Sequence, residues 1–173
     1  MENQASSKSI ILNYGLYYGV AGILLNLVLY ALGMHLDPGV TGMVLGIAIM
    51  TVFIILAIKK FKSENDSFMT WGQGVKIGLG LILVGVIINL IYQQIFQNFI
   101  EPDFMEQAMA LGEQKLVDMG LTQEQVEAQM EISQKFSSPL MQSAFVLIGG
   151  LFLGFIVSAI TSAVMKKTEE ESY

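Results

Sequence analysis

An all-α integral membrane protein is the fold this sequence predicts: four transmembrane helices in two tandem hairpins, with a small extracytoplasmic helical hairpin between helices 3 and 4. Three observations predict it. Charged residues make up 14% of the chain, against the roughly 25% of a soluble domain, and mean hydropathy is +0.58. The charges that do occur leave four long gaps. Between the third and fourth gaps, one short segment concentrates the acidic residues.

The gaps cover residues 9–34, 38–58, 77–100 and 136–165, which are 26, 21, 24 and 30 residues long. About 20 mostly apolar residues cross the hydrocarbon as a helix. A chain in lipid must satisfy its own backbone hydrogen bonds, so each gap reads as a helix. The spans are expected near 10–33, 39–59, 76–97 and 141–165, within one membrane domain covering 1–173.

The first span does not read as a cleaved signal peptide. Its leader, MENQASSKSI, carries Glu2 as well as Lys8, and its apolar run exceeds an h-region of about 7–15 residues. Ala31 and Gly33 do mimic a small-x-small cleavage site.

Orientation follows from lysine placement. Lys8, Lys59, Lys60, Lys62, Lys76, Lys166 and Lys167 flank one side, whereas the other has only Lys115 and Lys135. Both termini are therefore expected in the cytoplasm. Trp71, Phe68 and Phe61 suit the inner interface, and Tyr30, Tyr92 and Phe99 the outer one.

The outer segment, 98–138, is an acidic helical insertion. Residues 101–138 hold eight acids and two lysines, a net charge of −6 that equals that of the whole chain. Pro102 suits a first turn, with Asp103 and Glu106 near its N-terminus. Gly120 reads as a helix stop, and Thr122 with Gln125 as a capping box. A hairpin of about 102–119 and 122–136 follows. Met105, Met109, Gly112, Leu116 and Met119 make one apolar stripe; Ala128, Ile132 and Phe136 make another, with Val126 and Met130 beside it.

The spans repeat one another. Residues 22–27 (GILLNL) match 85–90 (GVIINL), with Gly15 and Gly78 each seven residues earlier. Residues 42–46 (GMVLG) match 150–154 (GLFLG), and each of those spans ends in a lysine pair. This predicts a parallel repeat about an axis along the membrane normal. The bland alternative is chance, because apolar strings draw on few letters.

Gly15, Gly19, Gly22 and Asn26 fall on one helical face, and Gly78, Gly85 and Asn89 on another. Gly150, Gly154, Ser158 and Ser162 form a small-residue ladder on the last span. Small faces let helices approach closely, and Asn can bridge them. The packing reading is thus an Asn26–Asn89 clasp; the functional one is a path lined by the two amides.

Several chemistries are excluded. The chain has no Cys, and all nine of its basic residues are Lys. Hence there is no disulfide framework or thiolate, no arginine fork for phosphate, and no basic surface for nucleic acid. Intramembrane ionisable groups usually mark pumps and transporters; no span interior has one. His35 is the single His, with Asp37 its nearby acid, and reads as an interfacial turn residue. Glu124, Glu127 and Glu131 share a face without calcium-loop spacing and read as a solvated surface. The methionines suit an adaptable contact surface better than a copper site. No catalytic, cofactor-binding or metal constellation is present, which points away from an enzyme.

Asn13-Tyr14-Gly15, the Ser67-Phe68 to Gly74 stretch, Ile100-Glu101-Pro102-Asp103-Phe104 and the Gly-rich last span ending in Lys166-Lys167 together resemble a known family. It is the membrane family called domain of unknown function 4199, found mainly in Bacteroidetes. The resemblance covers about residues 8–167. Glu101 stands where that family more often has Asp. It implies a four-helix bacterial inner-membrane protein with a periplasmic outer loop, and it supplies no activity.

The expected function is therefore that of an accessory or scaffold protein acting through protein contacts. Phe104, Met105, Met109, Leu116 and Met130 are the candidate contacts, and the partner is a membrane or periplasmic protein or a second copy of the chain. The first alternative is a small passive pore or carrier with Asn26 and Asn89 on its path. The second is an enzyme subunit using acids of the outer loop.

Overall fold

The computed structural model describes residues 7–168; the leader with Glu2 lies outside the described residues. Six helices follow in order, and no strand is present among the described residues. They are α1 (Ser7–Ala31), α2 (Gly39–Glu64), α3 (Trp71–Ile95), α4 (Phe104–Asp118), α5 (Gln123–Lys135) and α6 (Pro139–Met165). A π-helical turn, Phe96–Ile100, prolongs α3. The protein is an all-α membrane protein whose four long apolar helices, α1, α2, α3 with its extension, and α6, cross the bilayer.

Helices α2 and α3 outrun their charge-free windows, whereas α6 stays inside its own. Helix α2 continues past residue 59 through Lys60 and Lys62, and α3 begins at Trp71 rather than near 76. Hydrocarbon thickness limits where charges sit, not where backbone hydrogen bonding stops. Caps set the ends instead. Thr70 and Gln73 form a capping box that starts α3, as Thr122 and Gln125 do for α5. Ser138 caps α6, with Pro139 in its first turn. Gly120 stops α4 at φ +82°, a conformation that costs glycine nothing.

Helix α3 is the hub. It packs most extensively on α1, then on α6, and also touches α2. Helices α1 and α6 have little contact, whereas α2 does pack on α3. A two-fold axis along the membrane normal therefore does not relate the two hairpins, contrary to the arrangement the repeat predicts. The shared strings instead meet different neighbours.

The core lies toward the lysine-rich end. Ile54 and Ile58 of α2 and Ile77, Leu81 and Ile82 of α3 are 0% exposed. That end is stitched shut. Met69 and Lys167 exchange backbone hydrogen bonds of 2.8 and 3.0 Å, and Lys62 Nζ donates to the Met165 carbonyl at 2.8 Å. The Trp71 indole N–H donates to the Ala159 carbonyl at 3.0 Å.

The α3–α6 seam is an antiparallel ladder of complementary sizes. Gly74 faces Ser162 and Gly78 faces Ser158; one turn at a time further on, Ile82 faces Gly154 and Val86 faces Gly150. At each rung one residue is small enough to admit the other, so the backbones come close. Ser158 and Ser162 are fully buried there.

Candidate functional site

The parallel α1–α3 seam leads to the site. Along it α1 offers glycines to α3 side chains: Gly15 to Val84, Gly19 to Ile88, and Gly22 to Asn89. A Cβ at Gly22 would stand 2.7 Å from Asn89 Oδ1, so glycine makes room for the amide. Asn89 Nδ2 donates to the Gly19 carbonyl at 3.2 Å and to the Gly85 carbonyl at 2.8 Å. Gly85 in turn faces Tyr18 of α1.

Asn26 and Asn89 reach the same seam but do not hydrogen-bond to each other. Tyr92 Oη donates to Asn26 Oδ1 at 3.0 Å. The repeat places the two Asn 63 positions apart, but the residue of α3 opposite Asn26 is Tyr92, 66 positions on. Nor do Gly78, Gly85 and Asn89 share one partner: Gly78 packs on α6, the other two on α1. Gly78 and Gly85 lie within about 20° of one azimuth but about 10.5 Å apart along the axis, and residues at one azimuth but different heights meet different neighbours.

At the hairpin end of this seam is a cavity of about 210 Å³. Asn26, Asn89, Tyr92, Gln93 and Gln97 bring amides and a phenol to its wall, and Phe96 and Phe104 bring rings. Gln97 Nε2 is buried and has no hydrogen-bond partner. Asn89, Tyr92, Gln93, Phe96 and Gln97 converge because they recur at i, i+3, i+4, i+7 and i+8 along one face of α3 and its extension; the π-helical turn begins only at Phe96.

Behind the cavity wall is a largely buried His–Glu pair. His35 Nε2 lies 2.7 Å from Glu101 Oε2, and the two side chains are 8% and 12% exposed. The two groups are in close polar contact without a well-aligned hydrogen bond, and His35 Nδ1 is buried without a partner. Tyr30, Phe96 and Phe104 surround the imidazole at centroid distances of 4.9, 6.2 and 6.1 Å. His35 is thus a buried partner of Glu101, not a plain interfacial turn residue. Its expected acid, Asp37, pairs instead with Lys115 of α4 at 2.7 Å, half-exposed. Both pairs pin the hairpin region to the α1–α2 turn. Sequence distance hid His35–Glu101, and the one available signal was that each is an isolated ionisable residue flanking a span.

The hairpin holds a second recess, of about 270 Å³, between α4 and α5. Met105, Met109, Gly112 and Met130 line it with Phe136, and Gln142 Nε2 of α6 lies 3.3 Å from Met105 Sδ. Of the candidate contact residues, Met105, Met109 and Met130 face this cleft and Leu116 is half-buried. Phe104 is turned the other way, onto Phe96 at 6.1 Å. Among the described residues no three metal-type ligands converge.

A family profile described as "Protein of unknown function (DUF4199)" matches residues 13–167. No curated protein and no solved structure is significantly similar.

Proposed function

The chain belongs to the DUF4199 family, whose description assigns no activity, and from that premise we propose an accessory or scaffold protein that acts through contacts of the α4–α5 hairpin. One observation carries this reading. No residue of α4 is buried, and Val126 alone is buried in α5. A hairpin that merely capped the bundle would spend its apolar stripe on packing. This one keeps Met119, Ile132 and Phe136 at 68%, 49% and 44% exposed, beside a methionine-lined cleft in an acidic segment. Methionine surfaces repack readily against partners, and the acidic field draws basic ones.

The rival reading, a passive pore along Asn26 and Asn89, has the cavity in its favour. Against it stands the packing toward the lysine end, where Ile54, Ile58, Ile77, Leu81 and Ile82 fill the interior. The proposal places the chain in a bacterial inner membrane, with no cofactor and no reaction of its own.

Replacing residues 103–135 with a short Gly/Ser linker is expected to leave an inserted protein stripped of its co-purifying partners. A photo-crosslinker at Met109 should capture the partner, and one at lipid-facing Leu24 should not. An adduct of twice the monomer mass would identify a second copy of the chain. Partners that survive the replacement would sink the reading.

The proposed orientation has both termini in the cytoplasm and α4–α5 outside. The chain lacks Cys, and Ser63 and Gln114 are exposed at opposite ends. In intact cells an impermeant thiol reagent is expected to label Gln114→Cys and spare Ser63→Cys; the reverse pattern inverts the topology.

A further inference from the structure

We propose that the cavity at the end of the α1–α3 seam binds one uncharged, hydroxyl-rich group the size of a sugar ring. The inference is independent of the hairpin's role. It begins with what lines the wall. Five neutral polar side chains and two phenylalanines do, and no charged one. The ionisable pair His35–Glu101 sits behind Phe96 and Phe104, each facing the other. A phosphate or carboxylate entering here would lose its hydration and find no countercharge.

An apolar chain fits no better. Gln97 Nε2 is already buried without an acceptor, and an aliphatic occupant would leave it so at a cost. A hydroxyl both donates and accepts, which matches the groups on offer. Tyr92 Oη gives its proton to Asn26 and keeps lone pairs to accept with. Asn26 Nδ2 and Gln97 Nε2 are donors. Phe96 and Phe104 supply flat apolar surface for the C–H face of a ring.

Size and depth narrow the class. At about 210 Å³ the cavity is smaller than the roughly 300–1,000 Å³ of drug-sized pockets, so it takes one ring and not an extended chain. Asn26 lies five residues before the end of α1, about 7.5 Å along the axis. From there the cavity reaches Phe104 at the start of α4, so it lies at the hairpin end of the bundle, where headgroups and solutes meet the protein. The group is therefore either the sugar of a glycolipid or a free saccharide, and both have the same recognition chemistry.

The test uses the full chain in a polyoxyethylene detergent, free of sugar headgroups. Saturation-transfer NMR with methyl β-glucoside probes the free source. Native mass spectrometry from nanodiscs containing monoglucosyl-diacylglycerol and phosphatidylglycerol probes the lipid source. Binding of the glucoside, or selective retention of the glycolipid, is expected. Either signal should fall about fivefold in Tyr92→Phe and in Gln97→Met, the loss of one neutral hydrogen bond. Tyr92→Phe removes a single oxygen, so it remains informative if Gln97→Met fails to fold. Binding of neither probe would mean a water-filled recess and overturn the proposal. So would equal binding by wild type and Tyr92→Phe, or retention of phosphatidylglycerol as strong as that of the glycolipid.

Discussion

Glu101→Ala is expected to be among the most destabilising single substitutions in the protein. It would leave His35, 8% exposed, inside a box of Tyr30, Phe96 and Phe104 with neither ring nitrogen paired. Leaving one member of a buried polar pair unsatisfied costs about 1–3 kcal/mol, whereas replacing both by apolar groups of the same shape is close to neutral. The double variant His35→Leu/Glu101→Leu should therefore recover most of the loss. Unfolding in mixed micelles measures both. Hydrogen exchange in Glu101→Ala should rise first at Phe96–Ile100 and α4, the segments the pair ties to the α1–α2 turn. A Glu101→Ala protein within about 0.5 kcal/mol of wild type, the range of an ordinary surface change, would show that the pair holds nothing.

Gly78→Ala carries the second large effect. The added Cβ would stand 2.6 Å from Ser158 Cβ, and Ser158 is 0% exposed, so neither helix can yield locally. A loss at the upper end of the ~1–3 kcal/mol seen for overpacked cores is expected. Ser158→Gly should rescue it, with a coupling of at least about 1 kcal/mol in the double-mutant cycle. Gly72→Ala is the contrast: nothing lies within 4 Å of its Cβ position, so helix propensity alone should make it neutral to stabilising by up to about 1 kcal/mol. If Gly78→Ala behaves like Gly72→Ala, the α3–α6 ladder is looser than its side-chain sizes imply.

The membrane helices were legible because charge is costly in hydrocarbon, so its absence over a span-length window is a direct imprint of the bilayer. The α4–α5 hairpin was legible for a local reason: Thr122, Gln125 and Gly120 act on backbone groups within a few residues of themselves. What hid was everything set by two helices meeting. Asn26 and Asn89 were recognisable as seam residues, yet their partners depend on the axial offset of α1 against α3. That offset comes from Gly15, Gly19 and Gly22 fitting around Val84, Ile88 and Asn89, and no within-helix period records it. Tyr92 and Gln97 share the helical face of Asn89, at i+3 and i+8, but a shared face does not reveal that Asn26 and Phe104 close over it. Phe104 read as an outward contact by spacing, but the His35–Glu101 pair draws its helix start down onto the bundle.

The position of α3 as hub has a consequence for how the chain is made. Synthesis delivers α1, α2 and α3 first and α6 last, with about 65 residues between Ile100 and Met165. At ~5–20 residues per second that interval lasts roughly 3–13 s. Throughout it, the parallel seam with α1 can already be closed, with Asn89 on the Gly19 carbonyl. The α3 face bearing Gly74 and Gly78 still awaits Ser162 and Ser158. A three-helix form whose Gly74–Gly78 flank lacks its α6 partner is thus expected during synthesis. The amide clasp and its glycine bed would anchor α3 on α1 until α6 arrives.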